Sequence, residues 1–300
     1  MTKILAAIDN SPAARPVLAV AIAFADLLAV DVEALHARED GEHNARAAAA
    51  AAGVPLRSTT KPVIAALVAA GRSPQVVGVV LGARGVHAGR RPAGHVALEL
   101  ALRLPKPIVI VPPGAPVPSK LRRILVPLNG RRTSAIALAE TLILASRQEL
   151  ELIVLHVHDH ASIPLFSDQR QHEVESWAQE FMRRHCPDPA RVRLEVRIGI
   201  PGQNVLRVAD ETDSDLIALS WSQELRHGHA AVVREVLERS EIPVLLVPVD
   251  AEIGYGKPLP EKGGSAGIPA PQSVTPLMAA PSVGGMLAPK EARGDRVLDS

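Results

Sequence analysis

Ile4-Leu5-Ala6-Ala7-Ile8-Asp9-Asn10 and Ile124-Leu125-Val126-Pro127-Leu128-Asn129-Gly130 stand 120 positions apart and read alike: an apolar run that ends in a polar turn. Each run is short and continuously apolar, as a strand buried on both faces must be. An alanine-rich helix is predicted after each, over 12–28 and 133–146. A second strand follows, Val32-Glu33-Ala34-Leu35-His36 and Leu152-Ile153-Val154-Leu155-His156, still 120 apart, with Leu-His aligned to Leu-His. A period this long marks duplicated domains, because solenoid repeats span only about 20–50 residues.

The halves then diverge and converge again. The first has an alanine run, 45–52, and a weak third strand over 54–59; the second has an amphipathic helix over 169–185 and a clear third strand over 192–198. Short helices at 62–70 and 201–210 lead to fourth strands at 76–81 and 216–219. Each half closes on a helix and a strand bounded by prolines, Pro107 to Pro112 and Pro243 to Pro248, now 136 apart. Strands alternating with helices predict an α/β fold, with parallel sheets covered by helices on both faces. The expected organisation is a first domain over 1–118, a second over 119–249, joined by the proline-rich segment Pro113–Lys120, and a disordered tail over 250–300.

Composition narrows the function. The 300 residues carry a net charge of +1 and only 2% aromatics, so neither a basic field nor stacking platforms favour nucleic acid or an anionic membrane. Cys186 is the one cysteine, which rules out an internal disulfide and fits a reducing, cytoplasmic setting. The N-terminus runs straight into a strand pattern, and its longest apolar stretch, 17–25, is too short to span a bilayer.

Three features resemble the universal stress protein family over residues 1–249: Ile8-Asp9-Asn10-Ser11 closing the first strand, Leu35-His36 with its echo Leu155-His156, and Leu81-Gly82-Ala83-Arg84-Gly85 followed by Gly94-His95. The resemblance implies two tandem open five-stranded sheets of order 3-2-1-4-5, a Rossmann-like arrangement. It also implies pairing of the domains through their last strands, so that one chain forms its own pseudo-dimer; a homodimer of the whole chain stays open. ATP-binding members show a glycine, two residues, a glycine, nine residues, then a glycine and a hydroxyl residue. Here eight residues separate Gly85 from Gly94, and His95 takes the place of the hydroxyl.

The site expected in the first domain is therefore Asp9, Ala37, Gly82, Gly85, Gly94 and His95, with ATP or a related adenine nucleotide as ligand. In an open α/β sheet the ligand sits where strand order reverses, which places the end of strand one beside the end of strand four. Glycines let phosphate approach backbone N–H groups, and Gly94-His95 opens a helix whose N-terminus attracts an anion. Asp9 and Ala37 are assigned to the adenosine and the base by resemblance alone. Arg84, Arg90 and Arg91 read either as charge beside the phosphates or as solvated loop residues. The whole loop also has a plainer reading, a strand-to-helix turn with no ligand.

The second domain has lost these features. Asn129 replaces the aspartate, Ser220-Trp221-Ser222-Gln223 replaces the first glycines, and Ala230-Ala231 replaces Gly94-His95. A structural or interaction role is expected there. His156, His158 and His160, with His227 and His229, suggest a metal only if geometry brings them together, and the match of His156 to His36 favours a feature of the fold. No nucleophile–base–orienter set and no Walker-type loop is present, so the expectation is a regulator that binds and does not turn over. The competing expectation is a protein-interaction module without nucleotide.

Overall fold

The strands of each half begin as fully apolar runs, and burial follows: Ile4, Leu5 and Ala6 have no exposure, nor do Ile124, Leu125 and Val126. The computed structural model describes residues 1–37, 41–83, 93–128, 150–158, 180, 192–224 and 230–249. These lie in one unit, Met1–Lys257. The expected helix over 133–146, the expected helix over 169–185 apart from Glu180, Cys186 and the tail over 250–300 lie outside the described residues.

The first half runs β1 (Lys3–Ala7), α1 (Ala14–Leu28), β2 (Asp31–Ala37), α2 (His43–Ala51), β3 (Leu56–Thr59), α3 (Val63–Gly71), β4 (Val76–Gly82), α4 (His95–Arg103) and β5 (Ile108–Val111). The second runs β6 (Arg123–Leu128), β7 (Glu151–His158), β8 (Val192–Ile198), α5 (Pro201–Glu211), β9 (Leu216–Trp221), α6 (Ala231–Arg239) and β10 (Val244–Pro248). Each half has the order 3-2-1-4-5, with parallel neighbours. The two sets of five are not separate sheets. They join edge to edge as one ten-stranded sheet, β3-β2-β1-β4-β5-β10-β9-β6-β7-β8.

The join is the antiparallel pair β5–β10, with Val109 opposite Leu245, Ile110 opposite Val244 and Ile108 opposite Leu246. Val109 and Leu245 are equivalent positions 136 apart, so a local two-fold axis passes through that pair and the contact is isologous. Joining the edges also removes two exposed rows of backbone donors and acceptors.

Side chains alternate between two cores, as the pleat requires. Ile4, Ala6, Val80, Val109, Ile124, Val126 and Leu245 face one side, where Val17, Leu18, Ala21 and Phe24 of α1 cover the first half. Leu5, Val79, Leu81, Ile110, Leu125, Ile217 and Leu246 face the other, against α3, α4, α5 and α6. With few aromatics, small residues set the spacing: Gly71 of α3 lies against Leu104, where a Cβ would fall 2.8 Å from Leu104 Cδ1. Between Pro105 and Pro107, Lys106 turns inward and its Nζ donates to the carbonyls of Ser73 and Val76, both at 2.5 Å. Burial lowers the pKa of that ammonium from the ordinary lysine value.

Candidate functional site at the first switch point

β1 pairs with β2 on one side and β4 on the other, and Ala7 lies opposite both Leu35 and Leu81. Strand order reverses here, so the chain leaves β1 and β4 in opposite directions and opens a crevice at their carboxyl ends. Asp9 is two residues past Ala7. Ala37, the last residue of β2, is likewise two past Leu35, so the two stand level. Gly82 closes β4 opposite Val111, and Ala83 continues the ladder by donating its N–H to the Val111 carbonyl at 2.7 Å. Gly94 returns to the same place: its N–H donates to the Ala83 carbonyl at 2.5 Å.

Asp9, Ala37, Gly82 and Gly94 thus gather at one end of the sheet, and His95 opens α4 beside them with its side chain exposed. Gly85, Arg84, Arg90 and Arg91 lie outside the described residues. The helix N-terminus opened by Gly94-His95 is expected to attract an anion, and the Gly94 amide is not among the groups left for it. That N–H is already bonded to Ala83. The amides at this helix end that have no carbonyl one turn back within the helix are those of His95, Val96 and Ala97. The N-cap residue, Gly94, has no side chain with which to cap them.

Asp9 is held in place by its neighbours. Its Oδ1 accepts from the Ser11 N–H at 2.9 Å and from the Ser11 hydroxyl at 2.5 Å. The Ser11 Oγ then accepts from the Ala13 N–H at 3.2 Å, which ties this loop to the start of α1.

Sequence reasoning missed a second layer of order around the same loop. His36 is only 3% exposed, and its ring spans two backbone carbonyls: Nδ1 lies 3.0 Å from Ile8 O, and Nε2 lies 2.8 Å from Gly41 O. A neutral ring donates to one of them at a time, so the carbonyls compete for its proton. Asn10 adds three contacts. Its Nδ2 donates to Gly41 O at 3.2 Å, its Oδ1 accepts from Ala45 N–H at 3.0 Å, and its carbonyl accepts from Asn44 Nδ2 at 3.2 Å. Gly41 sits at φ +87°, a conformation glycine adopts without penalty, and this turns its carbonyl into the cluster. Together these bonds dock the start of α2 on the end of β1. His36→Ala is expected to cost about 1–3 kcal/mol, the penalty for stranding buried polar groups. Urea unfolding checks this; a change within about 0.5 kcal/mol, typical of a neutral surface site, would refute it.

The second half repeats one element of this and replaces the rest. His156 Nδ1 lies 3.0 Å from Leu128 O, the same contact His36 makes with Ile8. The repeated Leu-His is a device of the fold, tying the second strand of each half to the end of the first. His156 and His158 meet edge to face at 4.6 Å. Among the described residues no group of His, Cys, Asp and Glu could hold a metal; His160, His227 and His229 lie outside them, as does Asn129.

At the end of β9, where the first half has Gly82-Ala83, Trp221 is 2% exposed. Its indole N–H crosses to the first half and donates to Ala101 O of α4 at 3.0 Å. Gln223 follows the same route, its amide donating to Ala101 O and to Leu104 O, each at 2.9 Å. The strand end that could have lined a second crevice is given over to contact between the halves.

A doubled, doubly wound α/β sheet with a crevice at its switch point defines the class. Residues 120–248, the second half, match the model of the universal stress protein family. The first half repeats the fold. A universal stress protein from Archaeoglobus fulgidus is similar in structure across both halves, with a TM-score of 0.58 at 17% identity, covering 82% of this chain and 96% of that one. A functionally unknown protein from Pseudomonas aeruginosa reaches a TM-score of 0.62 at 14% identity, covering 83% of this chain and 92% of that one. At such identities these likenesses speak to the fold. No curated protein matches the chain.

Proposed function

We propose that the first half binds ATP or a related adenine nucleotide, and that the protein acts as a cytoplasmic regulator in a stress response and not as an efficient enzyme. The observation that carries the reading is the meeting of Asp9, Gly82 and the start of α4 at one reversal of strand order. There the first-turn amides of His95, Val96 and Ala97, with the helix dipole, suit a phosphate. Asp9, fixed through Oδ1, keeps Oδ2 for a ribose hydroxyl or a base amine. The match of the second half to the model of the universal stress protein family supports the regulatory role. A single cysteine supports a reducing compartment, and among the described residues no helix is long and apolar enough to cross a membrane.

Isothermal titration with ATP tests the reading. One saturable site per chain is expected, weakened at least tenfold by Gly82→Val, which would place a branched side chain where phosphate must approach. No saturable heat from the parent protein would overturn it. A second reading, a nucleotide-free interaction module, is favoured by the commitment of Trp221 and Gln223 to contact between the halves. It expects a melting temperature indifferent to ATP and a specific protein partner in pull-down.

A further inference from the structure

The junction between the halves is symmetric in its strands and asymmetric in its loops. Val109 pairs with its own equivalent, Leu245. After β4, however, stands Ala83, buried and too short to cross; after β9 stand Trp221 and Gln223, which do cross. Their targets are the carbonyls that end α4. In a continuing helix the Ala101 carbonyl would take the N–H four residues on, but that residue is Pro105, which has none. The second half supplies the missing donors. Gln223 holds φ +57° to do so, a left-handed conformation rarely taken by residues with a side chain, and its two bonds to Ala101 and Leu104 sustain it.

The other end of α4 begins at Gly94, bonded to Ala83 at the crevice. At 1.5 Å per residue the helix is only about 14 Å long. It is a short rod with the candidate phosphate amides at one end and the second half's donors at the other. We propose that Trp221 and Gln223 are positioning residues for the first-half nucleotide site: they set the height and tilt of α4, so that occupancy of the crevice and closure of this latch are coupled. The inference rests on the nucleotide reading above. Coupling of this kind is reciprocal, so nucleotide tightens the latch by the factor by which the latch tightens nucleotide.

Gln223 offers variants with opposite outcomes. Gln223→Lys keeps N–H donors and sets a cation on the carbonyl end of a helix, where it is favoured. Gln223→Glu keeps the shape but turns acceptor toward acceptor and a negative charge toward the negative helix end. Two measurements are made on the full chain: titration with ATP, and amide hydrogen exchange of α4 with and without ATP. Gln223→Glu is expected to weaken ATP binding about tenfold, within the usual range of coupling, and Gln223→Lys to stay within about twofold of the parent. Exchange in the last turn of α4 is expected to quicken in Gln223→Glu without nucleotide, and to slow in the parent when ATP is added. Faster exchange in Gln223→Glu with unchanged ATP affinity overturns the coupling and leaves the nucleotide reading intact. Equal weakening by Lys and Glu marks general damage and overturns it too, as does unchanged exchange in Gln223→Glu. A parent that binds no ATP overturns the nucleotide reading and the coupling with it.

Discussion

Trp221→Ala is expected to lower the free energy of unfolding by about 3–5 kcal/mol, the range for truncating a large buried aromatic. Two costs combine. The indole is 2% exposed and packs in the core shared by Val233, Leu237 and Leu246, so its removal leaves a cavity between the halves. It also deletes one of the two donors to the Ala101 carbonyl, on a residue that is itself buried. Trp221→Phe separates the terms: the aromatic body stays, Gln223 still serves the carbonyl, and a loss of about 1 kcal/mol is expected for the missing hydrogen bond. Urea unfolding followed by circular dichroism measures both. A Trp221→Ala loss as small as that of Trp221→Phe would mean that the indole does not fill the junction.

The second large effect is expected at Gly78. This residue lies in β4 opposite Ile4 of β1, and a Cβ built on it would come within 3.1 Å of Ile4 Cδ1 and 3.5 Å of Phe24 Cε1, with the Pro107 carbonyl at 3.4 Å. The space is closed on three sides by the neighbouring strand, by α1 and by the chain entering β5. Alanine there is already tight, and valine adds two methyl groups that only a shift of β1 or α1 could admit. Gly78→Val is expected to cost about 2–3 kcal/mol, as overpacking of a filled core does, despite the favourable strand propensity of valine. Gly78→Ala is expected to cost less. Unfolding curves that put Gly78→Val level with the parent would show the core to be looser than these distances imply.

Why the fold was readable follows from where its strands lie. Ile4–Ala6 and Ile124–Val126 are buried on both faces, so the sequence there must be apolar without a break, and a repeat of such runs stays visible after other positions have drifted. The union of the two sheets was not visible in the same way. Ile108–Val111 and Val244–Pro248 look like every other buried strand, and nothing in their residue types says that each ends a half by pairing with the other. That pairing was an implication of the family resemblance.

The site divides along similar lines. Asp9, Gly82 and Gly94 stand at strand or helix ends, where residue type reports on backbone geometry. The clasp of His36, Asn10 and Gly41 was hidden because its acceptors are main-chain carbonyls, which any residue provides. In the sequence Trp221 stands only as part of the segment that replaces the first glycines. Its actual partner is a carbonyl 120 residues earlier, and the only mark of that carbonyl's need is Pro105, four positions past Ala101.

The central claim is that the two halves have different duties: the first takes the nucleotide and the second braces it. Amide hydrogen exchange of the full chain with saturating ATP tests this most directly. The account predicts slower exchange at Ile8–Ser11 and at the start of α4, His95–Ala97, with the ends of β6 and β9 responding only through the latch at Trp221 and Gln223. Protection centred on Leu128 and the residues after β9, or no protection at the first switch point, would contradict it.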